Sequence, residues 1–204
     1  MLAVPPNWKN ANVIPTCMKN RIRTFIAVSL SASILSGIEK LMRTLKTDWG
    51  DVRWVEPNNL HVTLKFLGDI PLNELPQLIQ VVTQSVSRID SFDLTFQGIG
   101  AFPSGESPKT IWIGCREGSE GMIQLAESID EGLFSIGYPK ETRRFSPHLT
   151  IGRVKKPVRG LALIFDEQCD RLFGSCSVSE VQIFSSELTR RGPIYDELAV
   201  IPLR

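Results

Sequence analysis

Apolar positions along the chain follow two rhythms, one suited to strands and one to helices. Residues 24–30 (TFIAVSL) are rich in β-branched and aromatic side chains and predict a strand. Ile34, Leu35, Ile38, Leu41, Met42 and Leu45 then recur at helical spacing, with Ser31 or Ser33 available as a cap. The strand pattern returns over residues 60–67. Pro71 and Asn73 open a second amphipathic helix, about 74–89, whose stripe runs through Leu75, Leu78, Ile79, Val82 and Val86. The second half begins with strands at 92–102 and 110–115 around the turn-rich stretch 103–108, followed by a helix over 119–136. Pro147 holds Ser146 extended ahead of a strand at 148–154. Residues 157–173 read as a helix despite Gly160, and 178–188 with 195–203 as a closing antiparallel pair. The pattern predicts two similar halves packed as intimate lobes rather than independent domains.

The two halves share a chemical phrase. The chain's 2 histidines open His61-Val62-Thr63-Leu64 and His148-Leu149-Thr150-Ile151. On an extended strand, His at i and Thr at i+2 project together while Val62, Leu64, Leu149 and Ile151 turn to the core. Each half then offers one imidazole and one hydroxyl to a common space. With 11 threonines among 204 residues, both histidines would carry Thr at i+2 in only about one shuffled sequence in 340. Two imidazoles suit paired acid and base work near neutral pH. The hydroxyls of Thr63 and Thr150, with nearby backbone amides, suit the nonbridging oxygens of a phosphate, the plainer alternative being ordinary β-propensity. A two-histidine metal site is a further alternative, although no nearby carboxylates or cysteines complete a ligand set.

Composition narrows the setting. A chain with 42% hydrophobic and 22% charged residues is long enough to bury a substantial core. A net charge of +1 predicts no broad nucleic-acid-coating surface and leaves room for a local basic cleft. Arg143, Arg144, Lys155, Lys156 and Arg159 gather around the second motif, either as a solvated face or as a rim that attracts phosphates. Phe66 and Trp54 are candidates to stack on a base, but strand parity sends Phe66 toward the core with Val62 and Leu64. Cys17, Cys115, Cys169 and Cys176 form no CxxC pair, which points to reduced, structural thiols. The N-terminal residues lack the apolar run of a signal peptide, and no stretch approaches the ~20 apolar residues of a membrane span. A cytoplasmic location is expected, with no membrane and no obligate protein partner.

Residues 54–68 (WVEPNNLHVTLKFLG) and 145–154 (FSPHLTIGRV) resemble the paired motifs of the two-histidine (2H) phosphoesterase superfamily. Within it the chain is most similar to the RNA 2',3'-cyclic phosphodiesterases, historically called 2'-5' RNA ligases. Residues 23–28, Phe102-Pro103 with 111–114, and 186–188 with 192–195 resemble the family's first strand, middle and close. The motif pair, 87 residues apart, is specific. Ile151 stands where family members often have Leu. Met18-Lys19-Asn20-Arg21 resembles the usual beginning, so residues 1–20 are expected to be an extension or a misassigned start, and 21–204 a single bilobal domain.

The resemblance implies an α+β fold of two lobes about a pseudo-two-fold axis, each an antiparallel sheet backed by helices, with both motifs facing a central cleft. It implies hydrolysis of a 2',3'-cyclic phosphate to a 2'-phosphate without metal or cofactor. His148 would be the general base that activates water and His61 the general acid that protonates the departing ribose 3'-oxygen. The duplicated phrase alone does not distinguish these roles. Arg153 continues the second motif and, by resemblance, contacts substrate phosphate, although five residues past His148 a regular strand would put it on the opposite face unless the chain bends at Gly152. The expected partner is RNA with a cyclic-phosphate end or a cyclic nucleotide. Alternatives are a phosphoesterase for small nucleotides such as ADP-ribose cyclic phosphate, with ligation as a side activity, and a non-catalytic RNA-binding module, which would have no need of an acid and base pair.

Overall fold

The computed structural model describes residues 20–48, 51–156, 161–190 and 192–204; the expected N-terminal extension, Cys17 and Arg159 lie outside them. The order is β1 (Arg21–Ser29), α1 (Ala32–Asp48), β2 (Val52–Trp54), β3 (His61–Pro71), α2 (Leu75–Val86), β4 (Phe92–Phe102), β5 (Thr110–Cys115), α3 (Ser119–Ser135), β6 (His148–Val154), α4 (Leu161–Glu167), β7 (Leu172–Val178), β8 (Glu180–Thr189) and β9 (Gly192–Pro202). The strands form two antiparallel sheets. The first has the order β3-β1-β8-β9 and the second β2-β6-β5-β4-β7. The fold class is the expected α+β.

The lobes are not the two halves of the chain. Strand β2, from the first half, pairs with β6 in the second sheet, while β8 and β9 complete the first sheet. Helices cross over as well. α1 packs on β2 and β7 of the second sheet, while α3 packs on β3 and α2 on β9 of the first. The expected division into consecutive halves is therefore corrected to two lobes built from interleaved segments.

Burial explains why these segments take these forms. β1 lies inside its sheet, between β3 and β8, so Phe25, Ile26, Ala27 and Val28 are all buried and its sequence lacks polar alternation. Leu78, Val82 and Val86 of α2 and Leu125, Ile129 and Leu133 of α3 are fully buried, the 3.6-residue stripe the sequence predicts. The helix expected over 157–173 is the largest departure. The observed helix ends at Glu167, residues 157–160 lie outside the description, and residues 172–178 form β7, which pairs with β4 in register from Phe92↔Val178 to Gln97↔Leu172. Cys176 on β7 is buried opposite Leu94, so pairing with β4 decides the form of this segment. Cys115, Cys169 and Cys176 are free thiols. Burial, then the neighbouring Cys176, pushes Cys115 up to about 12. Among the described residues no helix is long and apolar enough to cross a membrane.

Candidate active site

His61 is the first residue of β3 and His148 the first of β6, and these two strands pack beside one another. Each imidazole is oriented by its own chain. His61 Nδ1 lies 2.8 Å from the Asn59 carbonyl and His148 Nδ1 lies 2.7 Å from the Ser146 carbonyl, both two residues upstream. A carbonyl only accepts, so Nδ1 donates in both rings and Nε2 is the nitrogen left for proton transfer. Thr63 and Thr150 are half-buried, and neither hydroxyl has a hydrogen-bond partner among the described residues.

The motif strands share an irregularity. On β3, Ala27 pairs with Thr63 and Ile26 with Lys65, leaving Leu64 as an extra residue. On β6, Trp112 pairs with Thr150 and Ile111 with Gly152, leaving Ile151 extra. The bulge falls three residues after the histidine in each case, and beyond it the alternation is reversed. Leu64 and Lys65 are both buried, as are Ile151 and Gly152, and the next residue of each strand, Phe66 or Arg153, is exposed. Arg153 therefore lies on the His148 and Thr150 face, the change of side that the sequence reading expected to need a bend at Gly152. Phe66 corrects that reading, since it is 65% exposed and shares the His61 and Thr63 face. The regular alternation that sent it to the core ends at Leu64.

The two imidazoles differ in their surroundings. The Phe25 ring stacks on His61 at 4.8 Å, and the Tyr195 ring meets it edge-on at 5.4 Å. Burial pulls His61 from 6.5 to about 4, opposed in part by the Asn59 carbonyl. His148 has one aromatic neighbour among the described residues, Phe102, edge-on at 5.0 Å. Burial raises the Tyr195 phenol, opposed in part by the Arg153 guanidinium of the other sheet. Arg53 on β2 sits directly opposite Arg153, and neither has an ion-pair partner among the described residues. Like charges opposed on a strand pair repel, an arrangement that an anion relieves. Sequence reasoning missed Arg53, Phe25 and Tyr195 as site residues. The only signal for Arg53 was its position beside Trp54, and nothing local marks the other two, which arrive through sheet pairing. Among the described residues no three His, Cys, Asp or Glu side chains gather as a metal-ligand group.

Comparison with known proteins gives this arrangement its context. The profile of the 2'-5' RNA ligase superfamily matches residues 27–190. The chain belongs to that superfamily. As a 2H phosphoesterase it is an enzyme of the hydrolase class. It is 36% identical over 185 residues to the RNA 2',3'-cyclic phosphodiesterase of Methanothermobacter thermautotrophicus, covering 90% of this chain and 100% of that one. The Archaeoglobus fulgidus protein of the same name is 35% identical over 179 residues, with 88% and 99% covered. Among solved structures, a Thermus thermophilus protein superposes with a TM-score of 0.78 at 27% identity, and E. coli LigT in apo form with 0.74 at 26%, each covering 90% of this chain and 98% of the other.

The buried His61 has a consequence for stability. Above pH 6.5 the ring is neutral in folded and unfolded chains alike. Between pH 6.5 and about 4 the unfolded chain takes up a proton that the folded one does not, so stability falls as pH falls, by about 3 kcal/mol across that window. Urea unfolding of the native protein and His61→Gln at pH 7 and pH 4.5 measures this. The variant should lack that part of the acid loss, and equal losses in the two proteins would remove the assignment.

Proposed function

We propose that the chain hydrolyses RNA 2',3'-cyclic phosphate ends to 2'-phosphomonoesters, without a metal ion, using His61 as general acid and His148 as general base. One observation carries this above the others. Each imidazole has Nδ1 committed to a backbone carbonyl and Nε2 available, and two residues further along stands a threonine hydroxyl without a protein partner among the described residues. A binding module gains nothing from duplicating that unit, whereas acid and base catalysis needs it twice. Relatives named RNA 2',3'-cyclic phosphodiesterase at 31–36% identity support the choice of substrate.

In this reading Nε2 of His148 takes a proton from water as the oxygen attacks phosphorus, and Nε2 of His61 delivers a proton to the 3'-oxygen as its bond to phosphorus breaks. The Ser146 and Asn59 carbonyls each accept from Nδ1 and stabilise the imidazolium whenever it forms. Thr63 and Thr150 donate to the nonbridging oxygens, with Arg153 and Arg53 supplying positive charge. Phe66, exposed on the motif face, offers a ring for a base to stack on. With a 5'-hydroxyl in place of water, the same proton transfers yield a 2'-5' linkage. An RNA substrate belongs with the cytoplasmic location expected from the sequence.

The low pKa of His61 bears directly on its role. A general acid must hold a proton, and burial leaves this ring neutral above about pH 4 in the free protein. A bound phosphate places negative charge beside the ring and favours the imidazolium, so substrate must raise this pKa. Steady-state kinetics on a cyclic-phosphate-ended oligoribonucleotide and on 2',3'-cyclic nucleotides tests the assignment. Both pH profiles should be bell-shaped, with a limb near pH 4 in kcat/KM that moves to higher pH in kcat. His61→Ala and His148→Ala should each lower kcat by roughly 10² to 10⁴ fold. Near-full activity in either variant removes the acid and base pair, and a requirement for added divalent metal after chelation removes the metal-independent mechanism. Comparing the two substrates decides between RNA ends and small nucleotides.

The threonines form a separate test. Removing a well-placed donor to developing charge costs roughly 10² to 10³ fold in kcat, so Thr63→Val and Thr150→Val should slow turnover by up to that factor, and Thr→Ser by much less. Valine variants that fold and turn over normally would reduce these side chains to strand formers.

A further inference from the structure

We propose that Lys65 is a positioning residue that ties the strand of the first motif to the segment delivering the second; the proposal rests on the hydrolytic reading above. The bulge at Leu64 turns Lys65 inward, away from the His61 face, and its side chain is 3% exposed. Its ammonium ion-pairs with Asp130 of α3, donates to the Pro139 carbonyl at 2.8 Å and lies 3.8 Å from a Glu141 carboxylate oxygen. Asp130 in turn accepts from the Glu141 backbone N–H at 3.2 Å. These contacts fix the start of the irregular segment 138–147. The far end of that segment supplies the Ser146 carbonyl that orients His148. Between the two ends Arg143 and Arg144 are exposed, with no ion-pair partner among the described residues.

The corresponding place in the second motif shows why a long side chain has room here. Gly152 follows the bulge on β6 as Lys65 follows it on β3. A Cβ on Gly152 would come within 2.8 Å of Val52 on β2, because a neighbouring strand closes that side. β3 is the edge of its sheet and has no such neighbour. Lys65 occupies that place and reaches the segment leading to His148. An apolar pair of similar volume would serve stability as well or better than a buried ion pair, so the contribution of this one lies in geometry.

Lys65→Met/Asp130→Leu separates the two roles, since it removes both charges together and leaves neither buried alone. Expected are a Tm within a few degrees of the native protein, kcat on a 2',3'-cyclic nucleotide lowered about tenfold or more, and KM changed less than about twofold, because a small misplacement of a proton-transfer group costs turnover before it costs binding. Lys65→Arg, which keeps charge and donors, should recover at least about threefold in kcat over Lys65→Met. Trypsin cleavage after Arg143 and Arg144 should be faster in Lys65→Met and in Asp130→Asn, the latter serving if the double variant does not fold. Native kcat and native cleavage rates in the double variant, or in Asp130→Asn in its place, would overturn the proposal. The cleavage assay needs no substrate, so an inactive native protein with accelerated cleavage in the variants would count against the hydrolytic reading and not against this one.

Discussion

Strand pairing with one extra residue is the constraint on which the site depends. A regular strand has a period of two, which places His and Thr on one face and the intervening apolar residue on the other. Carried further, the same period would bury Phe66 and Arg153. The unpaired Leu64 and Ile151 break it at the same place in both strands, so a third side chain joins each pair. The histidine, the threonine and the residue five beyond the histidine then share a surface, while two consecutive residues anchor the strand from behind. Nothing in this arrangement needs long loops. It follows from hydrogen-bond register and from the apolar residues that hold the register in place.

Much of this was legible in the sequence, and what was not has identifiable causes. The motif strands, the strands at 92–102 and 110–115 and the helix beginning at Ser119 occur where periodicity puts them. Such patterns report local burial, and these segments are governed by local burial. The pairing of β2 with β6 was not legible, because three residues give no period and a strand carries no mark of the sheet it will join. The segment 172–178 was misread as helix because Gly174 and two serines weaken a strand pattern that only β4 makes sense of. Phe66 was misassigned and Arg153 required a bend for one reason, the bulge, which has no residue signature at Leu64 or Ile151. His61, His148, Thr63 and Thr150 were legible because repetition marks them without any geometry.

The duplicated motifs do not make a symmetric pair. Aromatic rings from β1 and β9 press on His61 and strip water from it, whereas among the described residues a single ring meets His148, edge-on. Two copies of one phrase thus sit among different neighbours, which the phrase does not encode.

The interleaved strand order also bears on the growing chain. Every strand of the second sheet, which carries the later motif, has been made once Val178 is in place. The first sheet, which carries the earlier motif, still lacks β8 and β9 at that point, and one side of β1 has no partner. During synthesis from the N-terminus, the lobe holding His148 is complete in strands before the lobe holding His61, the reverse of their order in the chain. A product cut short at Val178 would contain both histidine motifs in full and yet lack Phe184 and Tyr195, two of the rings around His61. In this architecture the last strands translated complete the aromatic surround of the first histidine.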